Sequence, residues 1–168
     1  MKISLNYKFL IGLAVKLVLA SAVVCFLLVQ LIWGDAVEVP LWGQRSISTD
    51  LVSYSIVSGF FTSYLVTRST RKALDENKVL PLHWHLKSQT LIDRLPSLSL
   101  FRAFILSLTG VSTSFILILL LELSGSYFVP LAEYKLLFVT YGMLLSIAIT
   151  IMAFYRALGD KVLKKSEL

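Results

Sequence analysis

The stretch FLIGLAVKLVLASAVVCFLLVQLIW, residues 9–33, is interrupted only by Lys16 and Gln30. An α-helix rises about 1.5 Å per residue, so roughly 20 apolar residues cross the hydrocarbon core of a bilayer. Lys2 and Lys8 precede the run, and Ala20-Ser21-Ala22 resembles a signal-peptide cleavage site. The apolar character continues through Val23, Val24, Cys25, Phe26 and Leu27, however, where a mature exported chain turns polar. The segment therefore reads as a retained transmembrane helix.

Working outward, three further runs have the same character, at about residues 51–67, 104–123 and 135–155. The second is the shortest, at about 25 Å, enough for a thin or locally adapted bilayer. Composition agrees. Of 168 residues, 57% are hydrophobic and 15% charged, whereas a soluble domain carries about 25% charged residues. The expected fold is an all-α integral membrane protein with four transmembrane helices as two helical hairpins and an interfacial cytoplasmic loop. Residues 1–168 then form a single four-span domain.

The charges give this bundle a direction. Lys2, Lys8, Arg68, Arg71, Lys72, Lys78, Lys87, Arg94, Arg102, Arg156, Lys161, Lys164 and Lys165 fall on one side, and only Arg45 and Lys135 on the other. The positive-inside rule then predicts both termini in the cytoplasm and short outer loops at 34–50 and 124–134. The pattern suits a bacterial inner membrane. The formal net charge of +6 is thus a set of membrane flanks facing anionic lipid, and nucleic acid is not an expected partner. Trp33 and Trp42 are expected at the outer interface and Trp84 at the inner one, as an aromatic belt.

Local signals refine the elements. Asp50, in Ser48-Thr49-Asp50, suits a helix cap. Pro130 suits a first helical turn, and Gly159 a C-terminal cap. The second helix is expected to continue past the membrane to about Asn77, with Arg71–Asp75 and Lys72–Glu76 as i,i+4 pairs. Residues 82–96 mix bulky apolar and basic residues and are expected along the headgroups. A faint internal echo joins Val39-Pro40-Leu41 to Val129-Pro130-Leu131, and Ala73-Leu74 to Ala157-Leu158. If it reflects a repeat, the two halves share one orientation, about an axis along the membrane normal. Small residues at four-residue spacing (Ser55, Gly59, Ser63; Gly110, Ser114; Gly142, Ser146, Thr150) predict close packing of spans two, three and four.

Three ionisable residues stand out. Lys16 lies within the first apolar run, where a charge is costly. It either snorkels to the phosphates or faces a partner inside the protein. Asp50 and Glu122 are predicted at the outer ends of their spans, where together they would offer a proton or cation site. His83 and His85 lack convergent ligands for a metal, and no histidine lies in a span to bind haem. Cys25 has no second cysteine to pair with. No P-loop, G-x-S-x-G or H-E-x-x-H motif occurs, so no catalytic residue and no cofactor are expected. The leading expectation is a non-enzymatic accessory, assembly or oligomeric scaffold protein with a basic cytoplasmic face, acting through a homo-oligomer or a membrane-protein partner. The alternative is a small transporter or channel for an ion or lipophilic molecule, with Lys16, Asp50 and Glu122 as its polar steps.

Overall fold

A computed structural model describes residues 2–34, 36–81 and 98–166. The chain forms α1 (Lys2–Trp33), β1 (Glu38–Pro40), α2 (Ile47–Asp75), α3 (Ser99–Leu123), β2 (Phe128–Pro130) and α4 (Leu131–Ser166). It is all-helical apart from the small ladder of β1 on β2. Three helical segments, Leu5–Trp33, Ser99–Leu123 and Leu131–Gly159, are long and apolar enough to cross a membrane. α2 is not among them, because Ser53, Ser55, Ser58, Thr62, Ser63, Thr67 and Thr70 dilute its hydropathy. The metal-ligand and interfacial expectations for His83, Trp84, His85 and the rest of residues 82–97 lie outside the described residues.

The helix ends follow from local chemistry. Ser46, not Asp50, caps α2, its Oγ accepting from the Thr49 N–H at 3.3 Å. Asp50 lies inside the first turn. At the other end Asn77 adopts φ 55°, Lys78 N–H bonds Ala73 O at 2.8 Å and Asn77 N–H bonds Leu74 O at 3.2 Å. This is the left-handed closure that consumes terminal carbonyls, so the helix stops before Pro81 is reached. Just beyond, the Lys78 ammonium lies 2.6 Å from Glu76 Oε2, and this hydrogen bond holds the Glu76 carboxyl below its usual range. Gly125, at φ 74°, closes α3 in the same manner. Two terminal assignments from sequence change. Pro130 is the last residue of β2 rather than a helical residue, and Gly159 caps nothing, because α4 continues to Ser166.

The expected hairpins are not the packing units. α1 barely touches α2, and α3 barely touches α4; instead α2 packs on α3, α1 on α4, and α2 on α4. Each half of the chain is a helix, a short strand and a helix, and the strands pair antiparallel with Val39 opposite Val129. The two echoing Val-Pro-Leu segments therefore face one another. Both strand loops lie at one end of the bundle, so the halves run in the same direction. Asp50 bonds Tyr134, 84 residues away, and Tyr54 packs against Phe138 at the same separation, their ring centroids 5.2 Å apart and planes tilted by 59°. Residues that meet their own counterparts are what an approximate twofold axis along the bundle produces. Ala73-Leu74 and Ala157-Leu158 share this spacing.

Small residues permit the close approach. A Cβ at Gly59 would lie 3.0 Å from Ser107 Cα, and one at Gly110 would lie 3.4 Å from Ser55 Cβ. Gly142 faces Cys25 Sγ, with the Tyr54 hydroxyl 2.9 Å from the position of its absent Cβ. One seam thus brings α1, α2 and α4 together. Two basic residues assigned to the flanks are inside instead: Arg102 is 0% exposed and Arg156 5%. Both are engaged with the protein, as the cost of burying a guanidinium requires. Because the contact at Gly59 is to backbone, Gly59→Leu is expected to destabilise the chain by about 1–3 kcal/mol. Gly12→Leu, in open space, should be close to neutral; thermal unfolding in mild detergent would compare them.

Candidate functional site

At the strand end of the bundle three helices converge on one carboxylate. Trp33 is the last residue of α1, Asp50 lies in the first turn of α2, and Tyr134 lies in the first turn of α4. The Trp33 indole N–H donates to Asp50 Oδ2 at 2.8 Å, and the Tyr134 hydroxyl donates to the same oxygen at 2.8 Å. Trp33 is 9% exposed and Tyr134 fully buried, while Asp50 is half-buried. Trp33 is therefore a structural donor inside the bundle, not part of a lipid-facing belt, whereas Trp42 is exposed. The positive end of α2 also favours a carboxylate in its first turn.

The loop before α2 fixes where that turn begins. Ser48 Oγ donates to Leu41 O at 2.6 Å, and Ser46 Oγ to Gly43 O at 3.1 Å. Gly43 takes φ 138°, which favours glycine. The β1–β2 ladder holds the two outer connections together, and Leu41 N–H bonds Tyr127 O at 2.8 Å. Asp50 and Tyr134 are thus brought together by strand pairing as well as by helix packing.

Below Asp50 a groove of about 490 Å³ runs between α1 and α2, with α4 as its floor. Its walls include Leu17, Val24, Leu28 and Ile32 from α1, and Val57, Phe61 and Leu65 from α2. Ser21 and Tyr54 meet across it, 2.7 Å apart. A second groove of about 650 Å³ lies between α3 and α4, walled by leucine and isoleucine and carrying Tyr141 and Glu133. There Tyr141 meets Ser114 at 2.7 Å and Ser55 at 2.6 Å. Ser55 donates to Leu51 O at 2.6 Å and Tyr141 to Gly110 O at 3.0 Å. A serine–tyrosine pair thus spans each of the two weakly packed helix pairs, beside Trp33–Asp50 between α1 and α2 and Tyr141–Gly110 O between α3 and α4.

No protein-family model, curated protein or solved structure matches this chain.

The three residues singled out from sequence fare differently. Asp50 enters the Trp33–Tyr134 arrangement and lines the α1–α2 groove. Lys16 is exposed on α1 and lies outside both grooves. Glu122 is exposed near the end of α3, and no hydrogen bond or ion pair joins it to Asp50 among the described residues. Among the described residues there is no group of three or more His, Cys, Asp or Glu side chains that could hold a metal. Sequence reasoning missed Tyr134, Tyr54 and Tyr141. The spacing of the Ala-Leu echo is the signal that could have paired Tyr134 with Asp50.

Because Tyr134 donates to Asp50, Asp50→Asn and Tyr134→Phe are expected to be non-additive. Their double-mutant cycle should yield a coupling of about 0.5–2 kcal/mol in detergent unfolding. The cycle combining Asp50→Asn with Thr140→Val, far from the carboxylate, should give none.

Proposed function

We propose that the chain is a non-enzymatic, four-span integral membrane protein that works by association within the bilayer, as an accessory, assembly or oligomeric scaffold component. α2 is the fourth span in this reading. Its hydroxyl-bearing residues Ser55, Thr62, Ser63, Thr67 and Thr70 are buried, while Ile56, Val57, Phe61 and Leu65 are exposed. A helix whose hydroxyl-bearing residues are turned inward, with apolar side chains facing out, is compatible with lipid despite low mean hydropathy.

The observation that carries the association reading is where the open surface lies. The α2–α4 interior is filled by Tyr54 on Phe138 and by the Gly142 seam. Both grooves open sideways, and α1 and α3 expose runs of Leu, Val, Ile and Phe. Such a surface suits lateral contact with lipid or with another membrane protein more than axial conduction. The charge asymmetry supports cytoplasmic termini, a basic cytoplasmic face toward anionic lipid, and location in a bacterial inner membrane. A carrier of a lipophilic molecule is the second reading, favoured by the carboxylate at the end of an apolar groove.

Topology and association are separately testable. In a Cys25→Ser background, a membrane-impermeant maleimide should label Trp42→Cys in intact spheroplasts, and Lys72→Cys only after permeabilisation. Reversed labelling would overturn the orientation, and labelling of both from outside would overturn the spans. Chemical cross-linking in mild detergent should trap a homo-oligomer or a stoichiometric membrane partner; a strictly monomeric, unpartnered chain would overturn the scaffold reading.

A further inference from the structure

We infer that the α1–α2 groove is a binding site for a bilayer-resident amphiphile with one hydrocarbon tail and a protonated amine head, the ammonium seated on Asp50. The inference rests on the membrane-spanning reading and adds a ligand to it. The groove extends from Leu17 to Ile32 on α1 and from Leu65 to Asp50 on α2, about 22 Å at helical rise. Its volume falls in the range of small-molecule sites, about 300–1,000 Å³. A partner helix is about 10–12 Å across with its side chains, too wide to be enclosed in 490 Å³ over that length. A single extended hydrocarbon chain fits both the length and the apolar walls.

The head-group end selects the charge. Asp50 is the one carboxylate among the lining residues, and no Lys, Arg or His accompanies it there. Both protein donors, from Trp33 and Tyr134, go to Oδ2. Among the described residues no hydrogen bond reaches Oδ1, which is left to accept from a ligand. The nearby Lys135 is committed to Gln30 Oε1 at 2.8 Å and lies 6.0 Å from the centroid of the Phe26 ring; neither Gln30 nor Phe26 lines the groove. A fatty acid would set carboxylate against carboxylate. An ammonium would supply the opposite charge and N–H donors, an interaction strengthened where water is scarce. The α3–α4 groove also ends in a carboxylate, Glu133, but that side chain is exposed and among the described residues no hydrogen-bond donor positions it, so the site is assigned to Asp50.

Trp33 provides the readout at the head-group end. The full chain with Trp42→Phe and Trp84→Phe keeps it as the sole tryptophan, and is placed in phosphatidylcholine nanodiscs. Three probes brominated close to the head group are titrated: octadecylamine, stearic acid and phosphatidylcholine. The amine is expected to quench Trp33 saturably, at a mole fraction at least tenfold below that needed by the acid or the phospholipid. Asp50→Asn should abolish that preference. Val24→Phe, which fills the groove from an exposed wall position without touching the carboxylate, should weaken amine quenching at least fivefold, with helix content and disc incorporation unchanged. Equal quenching by the three probes, a preference that survives Asp50→Asn, or quenching insensitive to Val24→Phe would each overturn the site. Failure of the chain to enter the disc would be a distinct result, overturning the membrane reading and the site with it.

Discussion

The close meeting of α2 and α4 at the centre of the bundle is the constraint on which the other contacts depend. Asp50 bonds Tyr134 and Tyr54 lies on Phe138, so the two helices are registered by residues that occupy matching places in the two halves. With that register set, α3 packs mainly on α2 and α1 mainly on α4, each still reaching the other central helix through Ser114–Tyr141 and Ser21–Tyr54. The strand pair closes the same relation at one end, Val39 against Val129. Close approach demands small side chains, supplied by Gly59 against Ser107 and Gly142 against Cys25. In a lipid setting such van der Waals fit and interhelical hydrogen bonds replace the hydrophobic drive of soluble cores.

This arrangement produces the grooves. Because α1 and α2 are each fastened to α4 and scarcely to one another, a channel of surface remains between them, and the same topology repeats between α3 and α4. The serine–tyrosine bonds Ser21–Tyr54 and Ser114–Tyr141 tie each weak pair across its gap. The grooves differ in how each one's carboxylate is held. In one, a carboxylate is held by an indole and a phenol; in the other, Glu133 projects at the surface. The approximate symmetry is therefore one of packing, with chemistry that diverges at the position where Asp50 in one half corresponds to Tyr134 in the other.

The helices were largely legible, because apolar length is a local property. Residues 9–33 sit wholly within α1, and the expected stretches 104–123 and 135–155 within α3 and α4. The interior roles of polar residues were less legible. Trp33 looked like an interfacial residue, and Arg102 and Arg156 looked like flanking charges, since sequence reports nearness to a span end but not which way a side chain turns. Asp50 was singled out, but with Glu122 as its partner; the hydrogen-bond donors came from α1 and α4 instead. Nothing local to Asp50 distinguishes Tyr134 from other aromatic residues, and only the weak echo linked them.

By itself the sequence determined the all-helical class and the three long apolar helices, because hydropathy is summed along the chain. It also determined where small residues would permit close packing, since a four-residue spacing places them on one helical face. Tertiary structure decided which faces met. It replaced sequential hairpins by α2–α3, α1–α4 and α2–α4 contacts, buried the polar stripe of α2, and gathered Trp33, Asp50 and Tyr134 from three separate helices. The physical reason is that a helix sets its own hydrogen bonds within four residues, whereas a hydrogen bond such as Tyr134 to Asp50 exists only after two halves of the chain have chosen each other.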